Sequence, residues 1–239
     1  DKKKSSERTL SNIFNFFRIL KCQTTGYGKR HYICMMTTSV TARSGRFPDT
    51  FTIIFSMAKL NKPAILVVDM LNDFVTGALG CERARDIVPA TAELLDAARA
   101  AGVPVIFCND AHIQGIDHEL KLWGDHAIAG TPGAEVIPEL KVSDKDYIVP
   151  KRRYSGFFQT NLDILLRELD IRTVVMTGLH AHMCVRHTSA DAYCLGYDVV
   201  AAKEAMNSFT EEDFTIGLAY LKTCYDADAY TNAELIEMF

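Results

Sequence analysis

The sequence predicts an α/β fold: a three-layer α/β/α sandwich around a central, mostly parallel sheet with Rossmann-like topology. Short apolar runs alternate with segments of helical periodicity from residue 57 to residue 239. Such alternation is typical of parallel strands joined by crossover helices. The runs are apolar at consecutive positions, as expected of strands covered on both faces.

The first half of this region supplies three strands and one helix. The run Ala64–Val68 ends at Asp69 and predicts the first buried strand. Apolar spacing from 87 to 101, closed by a glycine, predicts a helix. Strands are predicted at 104–108 and 146–149. The irregular stretch between them, 111–132, is long for a loop inside a compact domain, and such loops are usually functional.

The second half repeats the alternation. A helix is predicted over 161–169, where leucines recur at helical spacing, followed by a strand at 173–177. A helix beginning at His182 or Cys184 ends before Gly196. This helix is followed by a predicted strand at 197–201, a helix at 211–222 and a weak last strand at 225–229.

Residues 1–56 differ from the remainder in charge. They hold ten Lys/Arg against three Asp/Glu, whereas the rest of the chain holds 16 against 27. Three interpretations of this basic N-terminal extension are open: a transit peptide, a flexible arm, or sequence foreign to the native protein. We favour the third, with Met57 as the start of the native protein. Residues 57–239 are then one domain.

Bulk composition excludes several function classes. A net charge of −4 gives no electrostatic footprint for nucleic acid. No apolar run approaches the roughly 20 residues that a membrane span needs. The seven cysteines form no CxxC pair, which favours reduced thiols and a cytoplasmic location.

Polar or reactive residues follow four of the predicted strands: Asp69, Asp110, Lys151 and the turn leading to Cys184. In open parallel sheets, ligands bind beyond the carboxyl ends of the strands. We therefore expect these groups to converge on one edge of the sheet.

Cys184 stands where a helix is predicted to begin, and the helix dipole tends to lower the pKa of a thiol placed there. Asp69 could take the thiol proton, and Lys151 could stabilise developing negative charge. This arrangement suits attack on an amide carbonyl. A packed, inert thiol and an Asp–Lys ion pair closing a strand edge are the alternative interpretations. His187, one helical turn after Cys184, could form a Cys–His pair or bond locally.

The chain from about residue 62 to residue 230 resembles the isochorismatase-like cysteine hydrolases, and it is most similar to nicotinamidases. The resemblance is carried by short motifs in matching order: Val67–Phe74, Tyr154–Phe157, Thr177–Gly178 and Cys184–Val185. It implies an isochorismatase-like fold and a homo-oligomer, a dimer or tetramer, acting on a small-molecule amide.

The same resemblance implies roles for individual residues. Asp69 would be the base, Lys151 its partner and Cys184 the nucleophile. A cis peptide would join Leu179 to His180, and the backbone N–H groups of His180 and Cys184 would form the oxyanion hole. Three side chains would contact substrate: Phe74, Trp123 and Leu179.

The long loop carries carboxylate and imidazole groups that suit zinc, iron or manganese. By resemblance to nicotinamidases, a divalent metal, with zinc favoured, would be held by Asp110, His112, Glu119 and His126. A solvated loop without metal is the alternative.

These features predict hydrolysis of nicotinamide to nicotinate and ammonia through a thioester. Two departures from the nicotinamidase pattern border the pocket: Val75-Thr76-Gly77 replaces a Pro-Gly-Gly turn, and His180-Ala181-His182 replaces Ala-Thr-Asp. The first alternative is therefore a hydrolase of the same family that acts on carbamoyl or ureido groups. Such hydrolases generally lack the metal. A catalytically silent binding protein of the same fold is the second.

Overall fold

The computed structural model describes residues 58–239, so the predicted extension at 1–56 lies outside the described residues and its interpretation stays a prediction. Six strands occur in this order: β1 Pro63–Val68, β2 Val105–Asp110, β3 Tyr147–Lys151, β4 Thr173–Gly178, β5 Asp198–Met206 and β6 Asp228–Tyr230. The helices between and after them are α1 Asn72–Val75, α2 Glu82–Asp86, α3 Val88–Ala100, α4 Leu120–Trp123, α5 Leu162–Glu168, α6 Cys184–Cys194, α7 Glu211–Tyr225 and α8 Asn232–Met238. Single turns of 3₁₀ helix lie at Pro132–Ala134 and Pro138–Leu140.

The six strands form one sheet in the order β3-β2-β1-β4-β5-β6, and every neighbouring pair is parallel. This confirms the predicted α/β class and the Rossmann-like topology. The strand order reverses between β1 and β4, the switch point at which doubly wound sheets bind their ligands. Within the described residues no helix combines the length and hydropathy that crossing a bilayer requires.

Two apolar layers cover the sheet because its strands carry apolar side chains on both faces. One layer includes Leu94 and Leu95 of α3 with Leu235 of α8. The other includes Leu166 of α5 and Leu221 of α7. These helices on opposite faces complete the predicted three-layer sandwich.

Gly178, at the end of β4, allows β4 to lie close to β1. Its φ of +93° is a conformation that L side chains rarely adopt. A Cβ atom at this position would lie 2.1 Å from the carbonyl oxygen of Val68. The glycine thus permits the two strand ends that flank the switch point to approach.

Candidate active site

Lys151 joins two carboxylates at the edge of the sheet. In the β2–β3 register, Lys151 lies opposite Asp110. Its Nζ lies 2.7 Å from Asp69 Oδ2 and 2.6 Å from Asp110 Oδ1. The backbone N–H of Asp110 also donates to Asp69 Oδ1 at 2.8 Å. All three side chains are buried, so one cation compensates two carboxylates that water cannot solvate.

Burial brings the pKa of Asp69 closer to neutral pH, which suits a general base. Burial, followed by the negative charge of Asp110, raises the pKa of Asp69 to about 6, although Lys151 opposes the shift. A general base is most effective when its pKa lies near the working pH. Burial by itself lowers the pKa of Lys151, but the two nearby carboxylates outweigh this effect. They hold its pKa well above the ordinary value and keep the side chain protonated.

Cys184 is the first residue of α6, one of the two helix starts that the sequence predicted, and only 3% of it is exposed. The expectation of a lowered thiol pKa is wrong. Burial raises the pKa of Cys184 well above its ordinary value; Lys151 opposes this, whereas Asp69 and Asp110 add to it. The resting sulfur is therefore a neutral thiol, and forming the thiolate requires a base such as Asp69.

The peptide bond between Leu179 and His180 is cis, as the resemblance implied. At the start of α6, the N–H groups of Met183 and Val185 both donate to the carbonyl oxygen of His180, at 2.9 and 3.3 Å. In the described chain, no backbone carbonyl accepts from the N–H of His180 or Cys184. Both predicted oxyanion donors are therefore available to another molecule.

The four predicted metal ligands come together beside these groups. One ligand atom from each of Asp110, His112, Glu119 and His126 lies within 4.8 Å of the others, and all four residues are buried. Asp110 Oδ2 and His112 Nε2 are buried and have no partner at hydrogen-bond distance, although the two atoms lie 3.6 Å from each other. Such atoms are costly unless something pairs with them, and this mixture of carboxylate and imidazole suits a divalent metal. The residues therefore fit the ion that the sequence predicted.

Outer hydrogen bonds orient the two imidazoles. His112 Nδ1 lies 3.1 Å from Asp117 Oδ2. The pair with Arg152 holds the pKa of Asp117 below its ordinary value, so the carboxylate is ionised and acts as the acceptor, with Nδ1 as the donor. His126 Nδ1 donates to the carbonyl oxygen of Gly124 at 2.8 Å. Each ring is thus left with Nε2 as the free ligand atom, the arrangement usual in metal sites. Sequence reasoning missed Asp117, although an aspartate five residues after His112 is a usable signal.

Aromatic side chains form much of the cavity wall. Phe74 and Trp123, two of the predicted substrate contacts, line it. Trp123 Nε1 donates to Tyr154 Oη at 3.0 Å, and its ring stacks on Phe209 at a centroid distance of 6.1 Å. Phe209, which lies after β5, was not predicted.

Leu179 is a correction to the predicted substrate contacts. It has no exposed surface and belongs to the apolar layer that includes Val67 and Val175, because an apolar side chain gains most where water is excluded. The neighbouring His180 lines the cavity instead. His187 Nδ1 lies 2.8 Å from the carbonyl oxygen of Met183, which is the local bond that was the alternative to a Cys–His pair.

Comparison with known proteins decides the family. The model of the isochorismatase domain matches residues 63–233. The chain belongs to the isochorismatase family. The match spans all six strands of the sheet and every residue of the candidate site.

Solved structures of this family show similar folds and differ in substrate. N-carbamoylsarcosine amidase from Thermoplasma acidophilum is 38% identical, with a TM-score of 0.68 over 72% of this chain and 97% of that one. Nicotinamidase/pyrazinamidase from Bacillus subtilis is 33% identical, with a TM-score of 0.67 over 71% and 99%. A pyrazinamidase from Pyrococcus horikoshii, solved in complex with zinc, is 27% identical, with a TM-score of 0.66 over 72% and 99%. The comparisons support an isochorismatase-family amidohydrolase.

Proposed function

We propose that this isochorismatase-family amidohydrolase converts nicotinamide to nicotinate and ammonia. The observation that carries the proposal is a cavity lined by Cys184 and by Asp110, Glu119 and His126 of the buried donor set, with a carboxylate oxygen of Asp69 within 4.8 Å of Cys184 Sγ. The likeness to nicotinamidases and to a zinc-bound pyrazinamidase supports it.

The first half of the reaction forms a thioester. Asp69 takes the proton of Cys184, and Sγ attacks the carboxamide carbon, which moves an electron pair onto the carbonyl oxygen. The backbone N–H groups of His180 and Cys184 donate to this oxyanion. When the carbonyl re-forms, the C–N bond breaks, and Asp69 gives its proton to the departing ammonia.

The second half releases the acid. Asp69, again a carboxylate, takes a proton from water as the oxygen attacks the thioester carbon. The C–S bond breaks, the proton held by Asp69 returns to the sulfur of Cys184, and the nicotinic acid that forms loses its own proton to solvent as nicotinate. Lys151 stays charged throughout and holds the carboxylate of Asp69 in place.

The remaining residues hold the substrate. A divalent metal bound by Asp110, His112, Glu119 and His126 would supply a Lewis acid for the nitrogen of a pyridine ring. The faces of Phe74 and Trp123 would pack on that ring, since flat aromatic walls favour a flat aromatic ligand.

A second candidate, hydrolysis of a carbamoyl or ureido amide, is favoured by the likeness to N-carbamoylsarcosine amidase. An ammonia-release assay distinguishes the two, with nicotinamide, pyrazinamide and carbamoyl compounds each tested with and without a chelator. We expect nicotinamide turnover that falls when metal is removed. Turnover of carbamoyl compounds alone, insensitive to chelator, would contradict the proposal.

Paired cysteine variants show whether the turnover belongs to this site. Cys184→Ala removes the proposed nucleophile, whereas Cys194→Ala changes an exposed thiol at the far end of α6. We expect no ammonia release from the first variant and ordinary release from the second. Release from neither substrate class by the unmodified protein would favour the silent binding protein.

We also propose that the protein is a cytoplasmic homo-oligomer, as the cysteine pattern and the family resemblance suggest. Light scattering coupled to size-exclusion chromatography of the full chain tests the oligomer. A monomer at micromolar concentration would contradict it.

A further inference from the structure

His180 has an imidazole that the reaction above does not use. The residue is only 2% exposed, and its ring lines the same cavity as Cys184. Both ring nitrogens are buried, and neither has a hydrogen-bond partner in the described chain. Buried polar atoms almost always have partners, because leaving one unpaired costs stability. Two such atoms in a residue that lines a cavity therefore indicate that a ligand supplies the missing bond.

Packing alone fixes the ring. His180 stacks on Phe209 with ring centroids 3.8 Å apart and an interplanar angle of 27°. Phe74 flanks the ring at 6.2 Å. The segment carrying Phe209 is anchored by Arg83, which donates to Asn207 Oδ1 at 2.6 Å and to the carbonyl oxygen of Ser208 at 3.2 Å. The ring is therefore held in place while its nitrogens stay free.

The ring is neutral in the working pH range. Burial, with a smaller contribution from His182, lowers the pKa of His180 to about 3. A neutral imidazole offers one N–H donor and one acceptor nitrogen. It cannot select a substrate by charge, but it can select one by the position of a hydrogen-bonding atom.

We propose that His180 is a specificity-determining residue whose imidazole bonds a heteroatom of the substrate immediately beside the scissile carboxamide. The backbone N–H of the same residue is a proposed oxyanion donor, which places the ring next to the reacting carbonyl. This inference rests on the proposed function and refines its specificity: nicotinamide has no such atom, so His180 favours, over nicotinamide, aromatic carboxamides that carry a hydrogen-bonding atom ortho to the carboxamide.

Two carboxamides form a matched pair for this proposal. Pyrazinamide differs from nicotinamide in that one ring C–H beside the carboxamide is replaced by a nitrogen, while the nitrogen meta to the carboxamide is kept. The added nitrogen can accept the His180 N–H. One such hydrogen bond changes relative kcat/KM by about tenfold.

The experiment measures kcat/KM for both carboxamides with the metal-loaded full chain. His180→Phe keeps an aromatic ring against Phe209 and removes both nitrogens. We expect the ratio of pyrazinamide to nicotinamide kcat/KM to fall about tenfold in this variant. His180→Gln, which restores a donor and an acceptor, should recover part of the ratio. His118→Phe, at an exposed position, is the matched control and should leave the ratio unchanged.

Each outcome decides the proposal. A ratio that is unchanged in His180→Phe, or an equal loss for both carboxamides, would overturn it, because the ring would then act only by filling space. Should His180→Phe fail to fold, the ratio measured with His180→Leu decides in the same way. If the unmodified protein hydrolyses neither carboxamide, the proposed function itself fails, and the inference fails with it.

Discussion

Replacing Lys151 by methionine should destabilise the protein strongly and in a pH-dependent way. Methionine keeps most of the side-chain volume, so the change chiefly removes the charge. The variant leaves Asp69 and Asp110 buried without the cation that lies 2.7 and 2.6 Å from them. Breaking a buried pair by removing one partner typically costs about 3–5 kcal/mol.

Proton uptake limits this cost. The unpaired carboxylates can take up protons, which raises their pKa values in the folded protein above those in the unfolded chain. For a group with an ordinary pKa of 3.8, protonation costs about 6 kcal/mol at pH 8 but only about 1.6 kcal/mol at pH 5. Since the folded variant then binds more protons than the unfolded chain, its stability falls as the pH rises. We therefore expect a loss of about 3–5 kcal/mol at pH 8 and a clearly smaller one at pH 5.

The assay is urea unfolding with a chelator present, because bound metal would add its own stabilisation. Lys222→Met is the matched control, since Lys222 pairs with Asp226 on the surface and its removal should cost less than about 1 kcal/mol. A loss below about 1 kcal/mol for Lys151→Met at pH 8, or an equal loss at pH 5, would refute the view of Lys151 as the buried counter-ion.

Three further predictions concern other parts of the site. Asp117→Asn should weaken metal binding about 10–100-fold, measured by competition with a chelator, and an unchanged affinity would contradict the orienting role of this residue. His180 binds a proton near pH 6.5 when unfolded but only near pH 3 when folded, so it should make the protein about 2 kcal/mol less stable at pH 5 than at pH 7; unfolding of His180→Phe at both pH values should lack this loss. Gly178→Ala should lower the free energy of unfolding by about 3 kcal/mol, and Gly196→Ala by about 1 kcal/mol. Both glycines have positive φ, but only at Gly178 would the new Cβ meet a backbone oxygen, that of Val68. Equal losses for the two variants in urea unfolding would contradict this.

The sequence predicted five of the strands from apolar residues at consecutive positions. The weak sixth strand was predicted at 225–229, whereas β6 spans Asp228–Tyr230 and Tyr225 ends α7. The predicted strand ends were less accurate. β5 continues to Met206, five residues beyond the predicted end, because Lys203 and Glu204 interrupt the apolar run although they lie within the strand. The helix α8 was missed, even though Thr231 and Glu234 form a capping box that is visible in the sequence.

The sequence predicted those site residues that lie at element ends recognisable from the local pattern of apolar residues. Asp69 follows β1, Lys151 ends β3 and Cys184 begins the helix after β4, so sheet topology brings them together. Phe209 could not be found in this way, because only the packing of the β5–α7 connection carries it to the cavity. The thiol pKa was predicted in the wrong direction because burial, which depends on the whole fold, outweighs the local effect of the helix N-terminus.

The most direct test of the central claim, that Cys184 is the nucleophile of an amide hydrolysis, is to look for the thioester itself. Nicotinamide is mixed with the full chain, quenched in acid at intervals and analysed by mass spectrometry after proteolysis. The account predicts a nicotinoyl group on the peptide that contains Cys184, which forms and decays as nicotinate appears and is absent from Cys184→Ala. Nicotinate formation without acylation of Cys184, or with undiminished rate in Cys184→Ala, would contradict it.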